Sequence, residues 1–96
     1  MIEQKSDGLL SVSGPMLIAN ATDLLDSGRS YLRPGVAQIV FDLSAVAETD
    51  SSALSVVFGW LRTARACGVS MHITQPPASM ISIAALYGVS DSLPLA

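Results

Sequence analysis

A chain of 96 residues makes one small domain, read as 1–96, with no room for separate catalytic and regulatory halves. Half of its residues are apolar and only 14% are charged, against a usual charged share of about 25%, so the chain carries enough apolar surface to exclude disorder. Five basic residues (Lys5, Arg29, Arg33, Arg62, Arg65) face eight acidic ones for a net charge of −3, which leaves no electrostatic footprint for nucleic acid or an anionic membrane surface.

Residues 2–6 and 9–13 read as two strands joined at Asp7-Gly8, a dipeptide whose tolerance of positive φ suits a tight hairpin. Gly14-Pro15 is expected to end the second strand. Leu17, Ala21, Leu24 and Leu25 then recur at i, i+4, i+7 and i+8, the inward stripe of an amphipathic helix ending near Gly28, with Pro34-Gly35 as a stop. Val36 to Phe41 is short, uncharged and β-branched, the pattern of a strand buried on both faces, and Asp42 closes it.

Thr49-Asp50-Ser51-Ser52 places a cluster of N-cap residues directly before Ala53-Leu54. Leu54, Val57, Phe58, Leu61 and Arg65 carry a helical period on to Gly68, the expected C′ residue. Val69 to Thr74 is another short strand and Pro76-Pro77 a rigid break. Met80, Ile83, Ala84 and Tyr87 form the stripe of a third helix ending at Gly88. The order β-β-α-β-α-β-α alternates strands with the helices that follow them, and right-handed crossovers make the central strands parallel. The expectation is an α/β fold, a mixed sheet of about four to five strands with three helices, too small to dress both sheet faces.

Catalytic constellations are missing. There is no phosphate-cradling glycine loop, no nucleophile elbow and no paired-histidine zinc helix. His72, the single histidine, lies between Met71 and Ile73 in a strand and points away from them, without the positioned partner a general base needs. Cys67, the single cysteine, can form no internal disulfide and no thiolate zinc site, and a helix C-terminus disfavours its thiolate. Asp42, Glu48 and Asp50 read as loop solvation and helix capping rather than an acid–base pair. No catalytic residue, metal or cofactor is expected.

The N-terminal residues carry acid and no apolar run, unlike a signal peptide. Gly68, His72, Gln75, Pro76 and Pro77 interrupt the charge-free stretch from Ala66 to Ser90, so no transmembrane helix and no direct membrane insertion are expected. A lone thiol fits a reducing cytoplasm.

The helix opening at Ser51-Ser52 lies at the carboxyl end of a strand, where open α/β sheets place their sites. Its N–H groups and dipole would accommodate a phosphate. At about 100° per residue with Leu54 as origin, the Leu54, Val57, Phe58 and Leu61 stripe centres near about 340°, with Ser51 at about 60° and Ser52 at about 160°. Ser52 is therefore expected to be the exposed hydroxyl. Trp60, Val56 and Thr63 fall on the same outward side, and an exposed Trp beside a Val has the composition of an interaction hot spot. Pattern alone leaves equal room for Trp60 to tuck against a neighbouring helix. The candidate partner-binding residues are Asp50, Ser51, Ser52, Val56 and Trp60, and Ser52 is the candidate phosphorylation site.

The run Ile39-Val40-Phe41-Asp42-Leu43-Ser44, then Thr49-Asp50-Ser51-Ser52-Ala53-Leu54, then a helix ending at Cys67-Gly68, resembles the STAS domain of anti-sigma-factor antagonists and sulfate transporters. The resemblance covers nearly the whole chain. Leu86-Tyr87-Gly88-Val89 followed by Leu93-Pro94 looks most like the MlaB branch, the STAS subunits of Mla phospholipid-transport ABC complexes in Gram-negative bacteria.

That resemblance implies a non-enzymatic cytoplasmic subunit that docks on the transporter's ATPase subunit (MlaF-like), in complex with its permease. It would sit peripherally at the inner membrane through that partner and support lipid asymmetry of the outer membrane. Ser51 then falls where this branch carries a functional Thr. The alternative is an anti-sigma-factor antagonist, in which the family's phosphorylated serine falls on Ser52 and an anti-sigma factor kinase breaks the complex by adding negative charge to an interface. Two departures stand out: Ala53 replaces the family's usual Gly after the serine pair, and Ser52 stands where MlaB-type chains carry a glycine.

Overall fold

The computed structural model describes residues 1–96. Ile2–Ser6 (β1) and Leu9–Met16 (β2) form an antiparallel hairpin whose turn holds Gly8 at φ +78°. A short 3₁₀ turn, Ile18–Asn20, leads into Ala21–Arg29 (α1). Gln38–Thr49 (β3), Ser51–Cys67 (α2), Ser70–Thr74 (β4) and Ala78–Leu86 (α3) follow, and a second 3₁₀ turn, Ser90–Ser92, precedes the tail. The sheet order is β1-β2-β3-β4, with β2, β3 and β4 parallel. This is the α/β fold expected from the sequence, with the helix-linked strands parallel. Leu95 adds an isolated parallel bridge to Ile73, so the tail lines the outer edge of β4.

All three helices cover one face of the sheet. Leu10 and Val12 of β2, Ile39, Phe41 and Leu43 of β3, and Met71 and Ile73 of β4 alternate into one core with Leu24, Val57, Trp60, Met80 and Ala84. Residues of opposite parity, among them Ser11, Val40, Asp42 and His72, lie half-buried on the undressed face. The strand from Val36 is therefore not buried on both faces. One side packs against helices, and the other is shielded only by neighbouring strands.

Two expected strand ends are corrected. Gly14-Pro15 does not stop β2. Proline stands where the β2–β3 register shifts, between Gly14 opposite Val46 and Met16 opposite Thr49, a bulge at which the missing N–H costs no ladder bond. Asp42 does not close β3, which continues to Thr49. Its carboxylate faces the open side and accepts the Ser44 N–H at 2.9 Å, beside the other register shift.

Candidate partner-binding site

β3 delivers the chain to α2 at Asp50, the N-cap residue, in extended conformation. One carboxylate oxygen accepts the Ser52 N–H at 2.8 Å, and the other accepts the Ile18 N–H at 3.0 Å. The Asp50 N–H donates to the Met16 carbonyl at 3.3 Å. A single side chain thus caps α2 and ties it to the loop after β2. The Ile18 bond above all holds the Asp50 carboxyl below its ordinary range, against an opposing desolvation and with help from the bonds at Ser52, because donors aimed at a carboxylate favour its charged form. Thr49 and Ser79 share a hydroxyl–hydroxyl bond of 2.6 Å that fastens the same corner to α3.

The two serines exchange their expected places. Ser51 is exposed, and Ser52 is half-buried against the cap. With the Ser52 N–H bound to the Asp50 carboxylate and the Ala53 N–H donating to the Asp50 carbonyl at 3.0 Å, two N–H groups of the first turn are already taken. A phosphate on Ser52 would sit beside that carboxylate instead of meeting free N–H groups.

The outward Trp60–Val56 face is also corrected. Trp60 is 0% exposed and Val56 2%, so neither can touch a partner in the folded domain. Trp60 stacks on Phe41 and donates its indole N–H to the Leu24 and Leu25 carbonyls at 3.2 Å each. The buried residues of α2 are Ala53, Leu54, Val56, Val57, Gly59, Trp60 and Ala64. At about 100° per residue their centre lies near about 260°, rotated by about 80° from the stripe of large aliphatic side chains.

That rotation turns Ser51, Ser55 and Arg62 to solvent and leaves Phe58 and Leu61 half-buried. Between this face and the segment after α3 runs an open groove of about 470 Å³, lined by Ser51, Ser55, Phe58 and Arg62 on one side and Tyr87 and Val89 on the other. Tyr87, expected in the core stripe of α3, is 60% exposed, and its neighbour Leu86 is 80% exposed. Of the expected contact residues, Ser51 therefore lies in the groove, while Asp50 and Ser52 build the helix end beside it.

Sequence reasoning missed Phe58, Arg62 and Tyr87 as surface residues. The available signal was α3 itself, Ala-Ser-Met-Ile-Ser-Ile-Ala-Ala-Leu, which is uncharged and apolar on every side. A helix of that kind must be buried all round or leave apolar surface unpaired.

A mixed sheet dressed on one face, with a capped helix leaving the end of its long central strand, has known counterparts. The chain belongs to the STAS domain family: residues 2–95 match the family described as "Mlab, STAS domain". The fold is similar to a putative anti-sigma factor antagonist from Thermotoga maritima, at TM-score 0.76 and 18% identity, over 99% of this chain and 83% of that one. It is also similar to the anti-sigma factor antagonist SpoIIAA in its unphosphorylated form, at TM-score 0.64 and 16% identity over 86% of this chain and 78% of that one. SpoIIAA of Bacillus in its phosphorylated form matches at TM-score 0.67 and 15% identity, over 100% of this chain and 89% of that one. No curated protein sequence matches the chain. No helix is long and apolar enough to cross a membrane.

Proposed function

We propose that this chain is a non-enzymatic STAS subunit that binds and supports the ATPase of a phospholipid-transport ABC transporter of the Mla type. It works in the cytoplasm, held at the inner membrane by the ATPase and its permease, and its transporter maintains outer-membrane lipid asymmetry. The observation that carries this reading is the match of nearly the whole chain to the MlaB-type STAS family. The geometry supports it with a surface suited to a protein partner: exposed Ser51 at the head of α2, next to the Phe58 and Tyr87 groove.

The alternative, an anti-sigma-factor antagonist switched at Ser52, needs a kinase to reach that hydroxyl. Ser52 is half-buried beside the Asp50 carboxylate, while Ser51 is open. That arrangement favours the binding subunit.

The test is affinity purification of the tagged chain from a detergent extract of its own cells, with mass spectrometry of partners and of both serines. An ABC ATPase with its permease, lost on Ser51→Glu while the isolated domain still folds, is the expected result. Unimpaired capture by Ser51→Glu, or recovery of an anti-sigma factor kinase with phosphate on Ser52, overturns it.

A further inference from the structure

The groove beside Ser51 does not end at Arg62. Phe58 lines both it and an adjoining hollow of about 560 Å³, which continues past Leu61 and Arg65 to Asp91 and Leu93. Meeting at Phe58, the two form one trough between the outer face of α2 and the segment after α3, with Met71 and His72 of β4 at its far end. From Ser51 to Arg65 it follows 14 residue steps of helix, a length of about 21 Å at the usual rise.

Its charge is predominantly positive, two arginines against Asp91. α2 contains no acidic residue and carries Arg62 and Arg65 on its exposed side. Only Lys5–Glu3 and Arg29–Asp26 form ion pairs in this molecule, so neither arginine of the trough is paired, although Asp91 lines the same hollow as Arg65. Two unpaired guanidinium groups on one helix of a chain with net charge −3 are a local reversal of sign. Between and beside them lie the apolar Phe58, Leu61 and Tyr87.

We propose that this trough seats an acidic amphipathic helix of the partner, whose carboxylates pair with Arg62 and Arg65 while its apolar side chains pack between Phe58 and Tyr87. From Ser51 to Arg62 the walls of the trough are side chains of α2 and of the residues after α3, and only its far end is lined by a strand, through Met71 and His72 of β4. Along Ser51 to Arg62 an extended peptide would find no backbone ladder, whereas a helix satisfies its own backbone and needs only side-chain contacts. Guanidinium groups flanked by aromatic rings suit carboxylates in two-pronged contact, and Arg and Tyr are common energetic anchors of interfaces. This inference rests on the transporter reading, in which the helix belongs to the ATPase.

Binding of the purified full chain to the purified ATPase, measured at rising salt, tests it. Expected are an affinity that falls with salt, a loss of roughly tenfold or more for the Arg62→Glu, Arg65→Glu double variant, and a smaller loss for the Arg62→Lys, Arg65→Lys pair, which keeps the charge but not the two-pronged contact. Tyr87→p-benzoylphenylalanine should photocrosslink to a helical ATPase segment bearing at least two carboxylates. Both arginines are exposed, and unchanged circular dichroism and melting confirm that the variants fold. Equal binding by wild type and the charge-reversed pair, or a crosslink to a segment without acids, overturns this inference. If Ser51→Glu still abolishes binding in that case, the transporter reading stands. A wild-type chain that binds no ATPase removes both.

Discussion

Trp60 lies flat on Phe41, ring centroids 4.0 Å apart and planes inclined by 8°, so a residue of α2 and a residue of β3 join the helical layer to the sheet. Their contact is backed by the indole N–H shared between two α1 carbonyls, which draws the third element into the same joint. Stacked aromatic pairs contribute about 0.5–1.5 kcal/mol beyond the area they bury. Trp60→Ala removes the ring, the donor and the packing, and should cost about 3–5 kcal/mol of unfolding free energy. Trp60→Phe, which keeps a ring over Phe41, should cost less. Urea denaturation followed by circular dichroism measures both. A Trp60→Ala loss under about 1 kcal/mol would place the residue outside the core energetics.

Two glycines give the joint its closeness. A Cβ at Gly28 would lie 2.1 Å from the Trp60 indole nitrogen, whereas a Cβ at Gly59 would meet Leu25 Cδ1 at 2.6 Å. The first obstacle is a rigid ring wedged against Phe41, the second the end of a flexible side chain. Gly28→Ala should therefore destabilise by about 1–3 kcal/mol through overpacking. Gly59→Ala should fall nearer neutral, since alanine regains up to about 1 kcal/mol of helix propensity. Paired denaturation curves decide this, and the reverse ranking would contradict it.

The ends of α2 are legible in the sequence, and its buried face is not. Asp50 and Gly68 mark the helix ends through local chemistry, a side-chain cap and a left-handed backbone at φ +72°, and local chemistry is written in neighbouring residues. The buried face depends on what lies across the layer. A stripe drawn from Leu54, Val57, Phe58 and Leu61 gave no weight to Ala53, Gly59 and Ala64, the small residues that allow α1 and the sheet to approach. Trp60 then fills the space they open, and Phe58 is displaced to the rim. The strand ends misled for a related reason. Asp42 and Pro15 break the local pattern of a strand, but pairing with β2 and β3 places each at a register shift where a polar or donorless residue fits.

The cap at Asp50 should be visible in the pH dependence of stability. Its carboxyl is held below the ordinary value of 3.8, chiefly by the Ile18 N–H. A carboxyl whose folded pKa is depressed contributes stability above its unfolded pKa and loses it as pH falls through the folded one. Wild type should therefore melt higher than Asp50→Ala at pH 7. The gap should narrow below about pH 4, as the carboxylate is protonated in the unfolded chain and then in the folded one. Melting curves of both proteins from pH 7 to pH 2.5 test the sign. A gap that widens on acidification would mean that the two N–H bonds do not hold the charged form.

Tyr87 and Leu86 provide the converse of Trp60. Both are exposed, at 60% and 80%, so truncation removes little buried surface. Leu86→Ala and Tyr87→Ala should each leave stability within about 0.5 kcal/mol of wild type. Tyr87→Ala should nevertheless weaken capture of the ATPase, as loss of an aromatic anchor does. Thermal melts alongside quantitative pull-downs separate the two effects, and a Tyr87→Ala protein that melts well below wild type would show the ring to be structural.

Introducing a carboxylate at each serine distinguishes their surroundings. Ser51 is open to solvent at the first position of α2, where negative charge meets the positive end of the helix dipole. Ser51→Glu should fold with wild-type stability or slightly better. Ser52 is half-buried, and its own N–H donates to Asp50, so Ser52→Glu places a second negative charge against the cap. That variant should melt lower, and raising the salt should recover part of the difference because screening weakens the repulsion. Melting of the two variants at low and high salt is the measurement. Equal stability at both positions would mean that Ser52 can turn a charge away from Asp50, and the helix end would then accept phosphate at Ser52 without strain.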